Sequence, residues 1–329
     1  MNRAVSLLTR CTALAAMAAS CLNAATPPGK TVPQLLRVAL WTDPVDGPPL
    51  AAKDLNVKLC GSDSRVVDLK GPHDDLLLIT VLDLAGDLAL ADSAKTALSK
   101  EIEQLPPRAD VAVMGARDGA KVLADPGDDR APALAAIHDQ PVSGKAGLLD
   151  TVETVTEIAD SVLARSSVRV ATLYVTDSDV ENYREDFTNP VINSSDSHDL
   201  SRRFPEVLIQ DKISKMLEVL TQRRAPLFVV HLRYRSDRLG EAYQNGLKQL
   251  SEATGGSAVF CRSVEEIADA MHRTMASIAS SYSAALALPE RLPQVVQVQL
   301  EGAGNASLRY RTRFVVKTRE VKAQEIKER

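Results

Sequence analysis

The chain has 329 residues, of which 45% are hydrophobic, 25% charged and only 4% aromatic, and its net charge is −4. That length supports one large domain or two ordinary ones. So few aromatic side chains and a negative balance exclude a stacking or phosphate-neutralising nucleic-acid surface, and no stretch reaches the roughly 18–20 apolar residues of a permanent transmembrane helix.

Residues 1–25 read as a secretory signal peptide. Arg3 and Arg10 are the only charges, Cys11 to Ala19 is apolar and rich in alanine, and Pro27-Pro28 follow the small residues Ala24 and Ala25. Cleavage after Ala24 or Ala25 removes the two arginines and takes the charge from −4 to −6. Ala18-Ala19-Ser20-Cys21 loosely matches the box before a lipid-modified cysteine, with Ala where Leu is usual. A lipid anchor at Cys21 is therefore the alternative to a freely released chain. Cys60 and Cys261 remain after cleavage. An oxidising compartment would permit their pairing, worth about 4–5 kcal/mol for so long a loop; two separate buried thiols are the alternative.

In chain order, 26–34 is a Pro-rich linker. Leu35–Trp41, Asp54–Cys60 and Arg65–Leu69 are predicted strands, a small β segment over 35–70. From 71 to 282 strands alternate with helices, the signature of a parallel sheet. The first of these strands, Leu76–Asp83, is apolar enough to be buried on both faces and ends on an acid. A helix over Ser93–Leu105, a strand over Asp110–Ala116, an edge strand over Ala120–Ala124 and helices over Ala131–His138 and Gly147–Ala164 follow. Val168–Asp177 is a second strand ending in Asp, and the polar stretch 178–203 after it is long enough to mark function or mobility. Then come a helix over Pro205–Arg223, a strand over Leu227–Leu232, a helix over Glu241–Ala253, a strand over Ser257–Arg262, and a helix over Val264–Ser281 with Ser263 and Glu266 as its capping box. Segment 283–317 returns to strands, at Ser283–Leu288, Gln294–Leu300 and Ser307–Val316, and 318–329 is a charged tail.

In an open α/β sheet, ligands sit beyond the carboxyl ends of the strands. Asp83 and Asp177 occupy two such tips, with Asp87 and Asp179 close by. Convergent carboxylates suit Mg²⁺ or Ca²⁺, whereas an Asp ending a strand also serves as a helix N-cap or an Asx turn. Enzyme signatures fail. The first loop lacks G-x-G-x-x-G, no G-x-S-x-G is present, and the five histidines lack zinc spacing. No nucleophile is assembled with a base.

Four stretches resemble the von Willebrand factor A-type domain, and more narrowly a bacterial secreted group described as the acidobacterial VWFA-related family. They are Leu76–Asp87, Gly144–Asp150 (GKAGLLD), Leu173–Asp179 (LYVTDSD) and Leu250–Ala270. The resemblance spans residues 35–316 and implies a metal-ion-dependent adhesion site built from an Asp-x-Ser-x-Ser loop, a Thr and a further Asp. Asp83 and Asp177 match the two acids, but Ala85 and Asp87 stand where the serines would be. Ala146 or Lys145 stands at the Thr. Hydroxyl ligands are lost and a cation is gained, so Lys145 is expected to act as the internal counter-ion of a pseudo-site, with no tightly bound cofactor. The rival expectation is an Mg²⁺ or Ca²⁺ site formed by Asp83, Asp87, Asp177 and Asp179.

The expected fold is α/β, a doubly wound, mostly parallel sheet flanked by helices, with a small accessory β unit from both chain ends. The expected function is extracytoplasmic, non-enzymatic protein binding through an apex that includes Ala85, Gly86, Gly144, Ala146 and Ser178. Tyr174, Tyr183 and Phe187 are the nearest aromatic anchors, Tyr174 suiting the core better. The alternative is a structural component of an envelope assembly that uses its β segments for contacts.

Overall fold

The computed structural model describes residues 34–43, 49–117, 119–127, 129–142, 146–178, 205–289, 293–302 and 307–316. The signal segment with Cys21, the residues Gly144, Lys145, Asp179, Tyr183 and Phe187, and the charged tail lie outside them. The described chain opens with four strands, β1 (Leu35–Asp43), β2 (Leu55–Leu59), β3 (Ser62–Ser64) and β4 (Val66–Lys70). It then alternates through β5 (Leu76–Asp83), α1 (Leu88–Gln104), β6 (Ala109–Gly115), β7 (Lys121–Ala124), α2 (Ala131–Asp139), α3 (Leu148–Arg165) and β8 (Arg169–Thr176). The alternation ends with α4 (Pro205–Leu220), β9 (Leu227–His231), α5 (Arg238–Thr254), β10 (Ser257–Phe260) and α6 (Glu265–Ala279). Four more strands close it: β11 (Tyr282–Ala287), β12 (Val295–Gly302), β13 (Ser307–Tyr310) and β14 (Arg313–Val315).

The middle of the chain forms a six-stranded sheet in the order β10-β9-β8-β5-β6-β7. The order reverses at β5, as in doubly wound folds. All neighbours in it are parallel except β7, which returns antiparallel on β6 as an edge. Every residue of β5 and β8 is buried. Because side chains alternate across a strand, β5 feeds two cores. Leu76, Leu78 and Leu82 pack under α1, α2 and α6, while Leu77, Ile79 and Val81 pack under α3, α4 and α5.

The expectation that the β accessory is small needs correction. The accessory is two four-stranded antiparallel sheets, β13-β1-β11-β4 and β14-β12-β2-β3, so most strand pairings in the molecule are antiparallel. They face each other as a sandwich around Leu36, Val38 and Leu40 from one sheet and Val57, Val298 and Phe314 from the other. The opposite face of β1 meets the α/β part. Trp41 is buried there, donates its indole N–H to the Ser277 carbonyl at 2.7 Å and meets Phe228 edge-on at 6.2 Å.

Of the two alternatives for Cys60 and Cys261, the structure has separate free thiols, with Cys60 exposed rather than buried. Cys60 is exposed in the β2–β3 turn of the sandwich, and Cys261 is buried beyond β10 in the α/β core. Burial raises the Cys261 thiol to about 11, with the Glu266 charge adding to it, so it stays protonated. Two residues, Cys60 at φ 50° and Gly61 at φ 82°, join Leu59 to its partner Ser62. This is the left-handed pair of a type I′ hairpin turn, which favours Asn-Gly. Cys60→Asn should therefore stabilise the protein by roughly 1 kcal/mol, read as a higher urea midpoint at unchanged m-value; an unchanged or lower midpoint would show that the turn stores no strain.

Candidate functional site

The carboxyl ends of β5 and β8 bring Asp83 and Asp177 to one apex, beside the start of α3. Both side chains are buried. Asp83 does not point outward. Its Oδ1 accepts the Gly147 N–H at 2.8 Å, and its Oδ2 accepts the Leu148 N–H at 3.1 Å, the Thr176 hydroxyl at 3.0 Å and the Ser178 hydroxyl at 2.6 Å. The first two donors are at the N-terminus of α3, where backbone N–H groups lack helical partners and the helix dipole favours an anion. Burial pushes the Asp83 carboxyl above its usual range, against the opposing pull of the Ser178, Gly147, Thr176 and Leu148 hydrogen bonds.

Asp177 is engaged in the same way by the loop after β5. The Ala85 N–H reaches Oδ1 at 2.5 Å, and the Gly86 and Asp87 N–H groups reach Oδ2 at 3.1 and 2.9 Å. Three successive amides thus form a nest around the carboxylate. Asp87 in turn caps α1, accepting the Ala89 and Leu90 N–H groups at 3.0 and 3.2 Å. This is why α1 begins at Leu88, ahead of the expected Ser93.

The three described carboxylates of the expected ligand set therefore sit at one end of the sheet, but each is committed to donors of the chain itself. Among the described residues no group of three or more His, Cys, Asp or Glu side chains could hold a metal ion. Of the residues expected at the contact surface, Ala146 and Ser178 are buried, Ala85 is half-buried and Gly86 exposed. Tyr174 is a core residue, hydrogen-bonded to the Thr151 hydroxyl at 3.0 Å.

Two participants escaped the sequence reading. Thr176 was legible as the residue before Asp177 in LYVTDSD, yet only the fold shows its hydroxyl on Asp83. Buried His231 accepts the Arg233 N–H on Nδ1 at 3.2 Å, so Nε2 carries the proton and donates to the Ser178 carbonyl at 2.8 Å. Nothing in the sequence ties a histidine at the end of β9 to that carbonyl. Leu88, 65% exposed beside the nest, was missed as a surface feature of the apex.

Comparison with solved structures returns proteins of low identity. The chain is similar to a von Willebrand factor type A protein from Catenulispora acidiphila, with 14% identity, a TM-score of 0.40, and coverage of 88% of this chain and 75% of that one. It is similar to the vWF domain of the type V pili tip protein Mfa5 from Porphyromonas gingivalis, with 12% identity, a TM-score of 0.41, and coverage of 63% and 95%. A third is the SpRpn10 VWA domain, with 16% identity, a TM-score of 0.36, and coverage of 60% and 94%. No family model and no curated protein matches the chain.

Two variants test the apex. A Cβ at Gly147 would lie 2.0 Å from the Ala116 carbonyl oxygen, and Gly147 also donates to Asp83. Gly147→Ala should therefore cost roughly 3 kcal/mol, the upper end of overpacking, read from denaturant unfolding. Asp83→Asn turns an amide donor toward existing donors and should cost about 1–3 kcal/mol. Since the folded Asp83 holds its proton to higher pH than the unfolded chain, its ionisation weakens the fold as pH rises. The wild-type margin in Tm over Asp83→Asn should accordingly shrink above about pH 4. Asp160, also raised by burial, is common to both proteins and cancels. A margin that grows with pH would mean that the hydrogen bonds outweigh desolvation.

Proposed function

We propose that this chain is an extracytoplasmic, non-enzymatic protein-binding module of von Willebrand factor A type, in which hydrogen bonds internal to the chain stand in for the adhesion-site metal. The observation that supports this most is the commitment of both strand-tip carboxylates to backbone and hydroxyl donors. A cation at this apex would have to displace the donors on Asp83 and Asp177, at a cost of about 1–3 kcal/mol for each one left unsatisfied. Lys145 precedes Ala146 in sequence, and as a cation it would add to these donors rather than substitute for them. The layout of residues 1–25 supports export, with Cys21 as the alternative anchor point; among the described residues no helix is long and apolar enough to cross a membrane. We take 71–282 as the binding module and 35–70 with 283–317 as the sandwich that carries it.

The contact surface in this reading is the rim of the apex, where Gly86 and Leu88 are exposed together. A second reading, an envelope-assembly component, is favoured by one feature of the sandwich. Strand β4 is the outer strand of its sheet and exposes Val67 to 47%, and an open strand edge is a template for pairing with another chain.

The test is affinity capture from an envelope extract with the purified chain, comparing wild type, Leu88→Asp and Val67→Lys, each with and without EDTA. The apex reading expects a partner that survives EDTA and is lost with Leu88→Asp alone. Loss on adding EDTA would restore a metal-dependent site, and loss with Val67→Lys alone would transfer the function to the sandwich.

A further inference from the structure

At the opposite end of the sheet from the apex, a small cavity lies where the sandwich meets the α/β part. Arg37 and Ser283 reach it from β1 and β11; Arg169 and Arg224 reach it from the start of β8 and the approach to β9. Three arginines line this space and no acidic residue does. Among the described residues, none of the three makes an ion pair within 4.0 Å.

Arg169 is 2% exposed, and its hydrogen bonds go to uncharged groups. Nη1 donates to the Ala279 and Ser281 carbonyls at 2.9 and 3.1 Å, with the Ser281 hydroxyl at 3.4 Å, and Nη2 donates to the Pro72 and Asp74 carbonyls, both at 2.9 Å. Its Nε–H has no partner, and neither does the equally buried Nη1 of Arg37. Arg224 spends one Nη1 bond on the Leu35 carbonyl at 3.2 Å. Buried charges are normally paired, and buried N–H donors normally satisfied. Asp68, Asp74 and Asp75 act on Arg37 and Arg169 only through the longer-range field, and Asp160 accepts the Arg224 backbone N–H at 2.8 Å without pairing its guanidinium.

We propose that this cavity is a binding site for a monoatomic monovalent anion of the chloride class, held by the free N–H groups of Arg37 and Arg169 with Arg224 completing the positive field. The size of the space selects the ligand. It offers about 10 Å³, about the least that holds one small sphere, so a monoatomic ion suits it better than phosphate or a carboxylate. Arg37 belongs to the sandwich and Arg169 to the central sheet, so the anion fastens one to the other. It requires nothing of the apex, and failure of either reading leaves the other standing.

The experiment is thermal unfolding of the purified protein in sodium chloride, sodium bromide and sodium gluconate at equal ionic strength, which holds screening constant. Gluconate cannot enter the cavity. The expected result is a saturable rise in Tm with either halide relative to gluconate. Arg37→Met, which keeps the apolar stem and removes the charge, should abolish that rise. Crystals grown in bromide should show an anomalous peak between Arg37 and Arg169, an outcome that needs no variant to fold. Equal Tm in all three salts, a halide effect unchanged in Arg37→Met, or a water with no bromide signal at the site would each overturn the proposal.

Discussion

The apex is organised around the buried carboxylate of Asp83. Four donors from two separate stretches converge on it: the amides of Gly147 and Leu148 at the start of α3, and the hydroxyls of Thr176 at the end of β8 and Ser178 just beyond it. Each such bond contributes about 0.5–1.5 kcal/mol net, set against the desolvation that raises the pKa of this carboxyl. Remove the carboxylate, and a helix end and two hydroxyls lose their common acceptor. Asp177 repeats the device one strand over, gathering the loop that leads into α1. Both carboxylates thereby set the angles at which two helices leave the sheet. The apex can be rigid without a ligand because its negative charges face backbone dipoles.

Arginine clamps on carbonyl oxygens hold the rest together. Arg130 donates to the Ile102, Glu103 and Pro106 carbonyls at the end of α1. Arg169 reaches Ala279 at the end of α6, and Arg311, stacked over Phe314, reaches the Thr221 and Arg223 carbonyls just past α4. The carbonyl end of a helix carries partial negative charge and unpaired acceptors, and a guanidinium offers several donors in a fixed fork. Two of these clamps also join the two parts: Arg169 holds the connections from β4 to β5 and from α6 to β11, and Arg311 reaches over from between β13 and β14. Their burial lowers both to about 10, which still leaves them cationic at neutral pH.

Much of the fold was legible because its signals are local. The apolar run of β5 with its terminal Asp, the helical spacing of α3 and the breaks around β9 and β10 each follow from a short window of sequence. The extent of the sandwich was not. β3 is only Ser62-Asp63-Ser64, with no apolar residue to alternate, and the expected strand 307–316 is divided into β13 and β14. At α6 the expected capping box is shifted: Glu266 does reach back, but to the Arg262 N–H at 2.7 Å, while Ser263 bonds Glu265. At the apex, the pattern of acids was readable as a degraded metal site, but the direction in which the carboxylates point was not. That depends on Gly147 passing so close to Ala116 that its amide faces Asp83, a contact between residues far apart in sequence.

Trp41 is the chain's one tryptophan, and it lies at the joint between the two parts. The Arg309 guanidinium sits 4.4 Å above its ring, and its indole N–H is held by the last turn of α6. Its emission therefore comes from a single environment with no other indole to mask it. Water reaching this face would shift that emission to the red, so a simple fluorescence trace distinguishes separation of the sandwich from opening at the distant apex.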